Sequence, residues 1–233
     1  MKLPNFIRPA FVLSALLLVS AGRVRADVIV NGDFSQATGD PANPFVGWQT
    51  TYGDPPTDGG GFAVFTESQT SAFVELEQTI HLTAADAVTG FRFQYKVASS
   101  GSATPGTVPD SFQATLYDAM GNPFPVPSNP LLPAFYSKDI GGADYFDTTS
   151  VSVTALADGW LQVTLFNLSG LSLPQDVTLE FLLNGFDDGQ ASIVYLDNVE
   201  ALTAAIPEPA ALVSLVVGLG LVGAFRGRSL GRS

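Results

Sequence analysis

Between residues 27 and 205 apolar and polar positions alternate with a period of two, and no stretch of useful length carries the 3.6-residue period of a helix. The clearest case is Phe91, Phe93, Tyr95 and Val97, which fall on one face of an extended chain while Arg92, Gln94 and Lys96 fall on the other. The pattern predicts strands at Val28–Phe34, Gly61–Thr66, Ala72–His81, Gly90–Ala98, Ser111–Tyr117, Ser150–Thr154, Trp160–Asn167, Asp176–Leu183 and Ser192–Leu202. Short strands at this spacing, separated by Gly, Pro, Asp and Ser clusters, predict an all-β, antiparallel sandwich or barrel. The intervening loops are long, notably 39–44, 53–61, 99–110 and the proline-rich 123–133, and such loops are where binding residues often sit. No second domain and no repeat of fixed period is visible.

The two ends follow different rules. Residues 1–26 carry Lys2 and Arg8, then the apolar run Ala10–Ala21, then Val24-Arg25-Ala26, the order of a secretory signal peptide cut after Ala26. Residues 206–233 begin with Pro207-Glu208-Pro209, continue through the uncharged stretch 210–225, and end with Arg226, Arg228 and Arg232. An apolar helix followed at once by arginines is expected to stop in the inner membrane with its C-terminus inside. Within that stretch Gly218-Leu219-Gly220-Leu221-Val222-Gly223 spells the dinucleotide fingerprint. It lacks the preceding strand and the following acid that the fingerprint needs, so nucleotide binding is excluded there.

The Pro-Glu-Pro motif, apolar helix and arginine-rich tail together resemble the PEP-CTERM sorting signal of Gram-negative bacteria. The resemblance covers about 28 residues and implies an exosortase-type membrane protease as partner, with the protein first held in the membrane, then moved to the cell surface or beyond. In that family the proteins often accompany exopolysaccharide production.

Charge sharpens the picture of the body. Asp27–Ile206 holds three bases, Arg92, Lys96 and Lys138, against 21 acids, a balance of −18. Such a surface repels phosphate backbones and excludes nucleic acid as a partner. The surplus serves solubility or binds cations. With no cysteine in the chain, disulfides, thiolate metal sites and cysteine nucleophiles are excluded together.

Four further segments resemble carbohydrate-binding-module and galactose-binding-like jelly rolls: Asn31-Gly32-Asp33-Phe34, Gly47-Trp48, Glu77-Gln78-Thr79-Ile80 and Tyr195-Leu196-Asp197-Asn198-Val199. In many such modules the N-terminal segment and an acid of the last strand share a structural Ca²⁺. The resemblance implies an ion held by Asp33 and Asp197, with Asn31 completing the shell. Ser35 stands where a glutamate often stands in those modules.

Catalytic residues are few. His81 is the sole histidine, and no G-x-S-x-G elbow surrounds Ser68 or Ser71, so neither a Ser-His-Asp arrangement nor a catalytic zinc is expected. Paired carboxylates for glycoside hydrolysis are abundant, including Asp187-Asp188 and the group Asp139, Asp144 and Asp147, though Asp187-Asp188-Gly189 reads first as a hairpin turn. Sugar stacking would use exposed aromatics. Tyr52, Tyr136 and Tyr145 are the loop candidates, whereas Trp48 and Trp160 are expected to pack in the core. These readings converge on a non-catalytic surface or matrix protein associating with extracellular polysaccharide. The alternatives are a polysaccharide hydrolase or lyase and a purely structural matrix component.

Overall fold

A computed structural model describes residues 28–67, 72–99, 108–125, 133–168, 170–185 and 191–204. The expected signal peptide, the expected sorting motif Pro207, Glu208, Pro209, Arg226 and Arg228, and the expected turn at Asp187-Asp188-Gly189 lie outside the described residues. Among the described residues no helix is long and apolar enough to cross a membrane.

Asp27–Ala204 forms one compact unit of two antiparallel sheets. The strands are β1 (Thr57–Asp58), β2 (Ala63–Thr66), β3 (Phe73–Leu82), β4 (Val88–Ser99), β5 (Ser111–Tyr117), β6 (Tyr136–Asp139), β7 (Asp144–Phe146), β8 (Val151–Ala155), β9 (Leu161–Phe166), β10 (Gln175–Asn184) and β11 (Ile193–Thr203). One sheet has the order β1-β2-β11-β4-β9-β8, the other β3-β10-β5-β6-β7. Helix among the described residues is confined to two three-residue 3₁₀ turns. The fold is the all-β sandwich that the alternation predicts.

The alternation decides which side chains meet between the sheets. On β4 the buried set is Phe91, Phe93 and Tyr95; on β10 it is Val177, Leu179, Phe181 and Leu183. Phe93 meets Phe181 edge-on across the gap at 4.9 Å between centroids, and Tyr95 stacks on Phe112 at 5.3 Å. Aromatic pairs at such distances add about 0.5–1.5 kcal/mol each beyond the area they bury.

One predicted strand does not form. Val28–Phe34 has a β-rich sequence, but Asn31 and Phe34 take left-handed φ values of 52° and 50°, which break the extended course. The segment docks through side chains instead. Gln78, core-facing and buried, accepts the Val30 N–H at 2.9 Å and returns its amide to the Val30 carbonyl at 2.9 Å. Trp48 packs in the core against Phe34 and Phe181, and its indole N–H donates to the Asn31 carbonyl at 3.2 Å. Trp160 is half-buried.

Candidate functional site

Direct cross-strand partners in a ladder point to the same side, so the registers define what faces outward on the five-stranded sheet. One row runs Tyr145 on β7, Ser137 on β6, Gln113 on β5, Leu182 on β10 and Glu75 on β3. At the usual strand separation this row spans about 19 Å. The next row sets Thr115, Glu180 and Glu77 side by side, and the one after it Tyr117, Thr178 and Thr79. Ser111, Gln113, Thr115 and Ser137 are buried although they face away from the core.

Glu75, Glu77 and Glu180 form the chemical centre of this face. Each offers a carboxylate oxygen within 4.8 Å of the others, a spacing that one divalent cation could bridge. Glu77 and Glu180 are direct cross-strand partners, an arrangement that costs stability when both are charged. Burial, and then the charges of Glu75 and Glu77, push the Glu180 carboxyl up to about 7. The Tyr117 hydroxyl reaches Glu180 at 3.4 Å and is pushed up to about 12 by burial, then by the charge of Glu180.

Glu75 is 2% exposed and has a second task. Segment 49–54 runs along the free edge of β3, joined to it by backbone bonds between Gln49 and Glu77 and by the bonds Asp54 N–H to Phe73 and Glu75 N–H to Asp54. Where the segment arches away, the Glu75 carboxylate receives the N–H groups of Thr51 and Tyr52 and the Thr51 hydroxyl. Burial raises the Glu75 pKa, against the lowering effect of those N–H donors. Gly53 closes the arch at φ +81°, and a Cβ there would stand 2.6 Å from the Phe73 carbonyl oxygen.

Of the three tyrosines proposed as stacking platforms, two are exposed at opposite edges of this sheet. Tyr52, 61% exposed, leans on Phe73 with centroids 5.1 Å apart; Tyr145, 47% exposed, bonds through its hydroxyl to Asp139. Tyr136 is a correction. Paired with core-facing Ala114, it is fully buried between the sheets, and its hydroxyl bonds to Tyr95 and, at 3.2 Å, to Asp144. It has no face to offer a ligand. His81 pairs with Asp176 across β3 and β10 at 2.7 Å, both exposed. Asp144 bonds Lys138 at 3.0 Å, and Asp147 closes a turn onto Thr149, so neither is poised beside a second acid for hydrolysis.

The segments expected to share Ca²⁺ do meet. The Val199 N–H donates to the Gly32 carbonyl at 2.8 Å, beside a recess of about 520 Å³ lined by residues of 29–36 and 198–200. Asp33 lines it; its Oδ1 accepts the Ser35 N–H at 3.3 Å and hydroxyl at 3.0 Å. Asp197 accepts the N–H of Asn198 at 2.6 Å, and its pKa is raised by burial and by the charge of Asp33. Asn31 differs from expectation: its Oδ1 accepts the Gln36 N–H at 2.9 Å and its Nδ2 donates back to the Gln36 carbonyl at 3.0 Å, so it braces the turn. Asp33 and Asp197 are the donors that would hold an ion here. If they do, EDTA lowers the thermal midpoint and added Ca²⁺ restores it; an unchanged midpoint removes the ion from the fold.

Neither a scan against protein-family models nor a search of curated proteins finds a match to this chain. The sequence alone does not assemble the group of Glu75, Glu77 and Glu180. Its visible trace was two glutamates at alternate positions of a predicted strand, both on the face opposite Val74, Leu76 and Ile80.

Proposed function

We propose that the chain is an exported surface or matrix protein, sorted through its C-terminal segment, whose jelly-roll sandwich binds extracellular glycan on the outer face of the five-stranded sheet without transforming it. The observation that carries the binding half is the pair of exposed tyrosines, Tyr52 and Tyr145, at the two edges of this sheet, with the part-exposed carboxylates of Glu77 and Glu180 on the face between them. Sugars are held by aromatic surfaces beside groups that accept hydroxyl protons, and this face supplies both. The likeness to carbohydrate-binding jelly rolls points the same way, and the sorting half rests on the Pro-Glu-Pro, apolar and arginine-rich order of 206–233. Binding of the full-length chain to a panel of oligosaccharides tests the first half. Tyr52→Ala is expected to weaken it about tenfold, roughly the worth of one aromatic contact. A variant that binds as well as the parent places the ligand elsewhere, and extracellular chain still carrying residues 226–233 overturns the sorting half.

A second reading has a specific observation behind it. Glu180, its carboxyl pushed up to about 7 beside Glu77, has the form of a general acid next to a second carboxylate, at about the separation used by retaining glycosidases. Release of reducing ends that vanishes in Glu180→Gln would select hydrolysis over binding alone.

A further inference from the structure

We propose that two copies of this chain pair edge to edge through β8, antiparallel and related by a two-fold axis at Val153, so that their six-stranded sheets join into one continuous sheet. Nothing in this depends on the glycan reading of the other sheet. A free sheet edge is a row of unpaired N–H and C=O groups, and folded chains blunt such rows with brevity, charge, proline or a covering segment. Three of the four edges here are blunted. Segment 49–54 covers β3. Strand β1 has two residues, one of them Asp58, and follows Pro55-Pro56. Strand β7 has three residues and opens on Asp144. Strand β8 has five, Val151-Ser152-Val153-Thr154-Ala155, with no charge, no proline and an unbroken register against β9.

The hydrogen bonds fix which groups β8 leaves open. The Leu156 N–H donates to the Trp160 carbonyl at 2.8 Å and the Phe166 N–H to the Ser150 carbonyl at 2.9 Å. Even-numbered residues of β8 are therefore bonded to β9, and odd-numbered ones turn their backbone groups away from it. The Val151 N–H is taken by the Asp147 carbonyl at 2.8 Å. Among the described residues no strand or bridge takes the Val151 carbonyl or the N–H and C=O groups of Val153 and Ala155.

Three features point to a second copy as the occupant. Residues 148–157 carry no charge, and neither does β9 behind them, in a body whose balance is −18. Two such bodies repel wherever acids meet, and this stretch lets them approach without that cost along its length. The strand is also its own complement. A two-fold axis at Val153 bonds the two Val153 residues to each other both ways and lets each Ala155 N–H reach the open Val151 carbonyl of the other copy. Val151 is the residue whose N–H is already engaged, so the Ala155 carbonyl alone is left over on each strand. The same register sets Ser152 opposite Thr154 on the outer side and Val151 opposite Ala155 on the core side. It also brings together the exposed apolar side chains beside this edge, Leu156 and Phe166, each 37% exposed. Leu156 of one copy falls opposite Ser150 of the other, whose neighbour on β9 is Phe166. Two strand spacings, about 10 Å, separate their backbones, and both side chains close over the small serine. Pairing consumes the edge in each copy, so assembly stops at two.

The test is sedimentation velocity of the full-length chain in a nonionic detergent, over about 1–200 µM. The contact is small, so a dimer with a dissociation constant of roughly 10–100 µM is expected. It tightens severalfold between about 20 and 500 mM NaCl, because salt screens the acidic bodies and the acids that bound the neutral stretch, Asp147 and Asp158. Three double variants at the exposed positions 152 and 154 then read the register. Ser152→Glu with Thr154→Glu sets like charges opposite each other and weakens the dimer about tenfold or more. Ser152→Lys with Thr154→Lys does the same, although it lowers the net negative charge. Ser152→Lys with Thr154→Glu sets opposite charges face to face and keeps the dimer at parent strength or better. A slip of two residues would pair 152 with 152 or 154 with 154, and this last variant would then dissociate. The two like-charged variants stand in for each other if one fails to fold. A parent that stays monomeric overturns the proposal, as does association that weakens with salt. Association indifferent to all three variants places the contact elsewhere on the chain, and loss in the Lys–Glu variant removes the register; either result overturns it.

Discussion

Gly32→Ala is expected to destabilise the sandwich by about 3 kcal/mol or more, lowering the thermal midpoint by roughly 6–12 °C for a chain of this size. A Cβ at position 32 would stand 1.9 Å from the Val199 carbonyl oxygen, a distance no relaxation of a side chain can relieve because the obstacle is backbone. Val199 is buried and lies in the irregular stretch where the β11–β4 register shifts between Asp197 and Glu200. Moving either the 28–34 segment or β11 would break the bond from Val199 N–H to Gly32 and loosen the Gln78 clamp on Val30. Gly60→Ala is the control. Gly60 has φ +81° but nothing within 4 Å of an added Cβ, so only backbone strain of about 1 kcal/mol is expected. Equal midpoints for the two variants would show that the crossing at Gly32 is looser than described.

The strands that were legible are those whose environment is repeated along their own length. Ser111–Tyr117 has the predicted bounds, and β3, β4 and β10 fall within two residues of expectation, because in each the residues facing the core are mostly apolar and alternate with mostly polar ones facing away. Strands β6 and β7, four and three residues long, were not legible. Tyr136-Ser137-Lys138-Asp139 places a lysine on the core side, which local pattern reads as loop, and only pairing with distant β5 makes it a strand. The same pairing buries Tyr136. At Val28–Phe34 the error ran the other way: β-branched residues suggested a strand, whereas the Asn31 and Phe34 dihedrals and the Gln78 side chain give a docked turn.

The candidate site was illegible for a related reason. Glu75 and Glu77 are separated from Glu180 by about a hundred residues, and their juxtaposition exists only through the β3–β10 register. A one-residue slip would place Glu180 on the core side, so the site depends on the same alternation that fixes the core. Alternation could tell which acids face outward. It could not tell which of the 21 would face each other.

That juxtaposition sets the second large effect, a pH dependence of stability centred on Glu180. In the unfolded chain this carboxyl titrates near 4.5; in the fold it is pushed up to about 7, first by burial and then by Glu75 and Glu77. Between those values the folded chain holds a proton that the unfolded chain has released. The contribution is therefore fully present below about pH 4.5, falls as pH rises, and is lost above about 7. Glu75, also shifted upward, acts in the same direction. Allowing for the partial exposure of Glu180, the swing is roughly 1–3 kcal/mol. Glu180→Gln keeps the shape and removes the titration, so it should be more stable than the parent by that amount near pH 8 and similar to it near pH 4. Urea midpoints at the two pH values decide the matter, since repulsion among the remaining acids is common to both proteins and cancels in the difference. A difference that is constant with pH, or that favours the parent at the higher value, would mean that Glu180 is ionised in the fold at ordinary carboxylate pH and that the crowded face imposes no such cost.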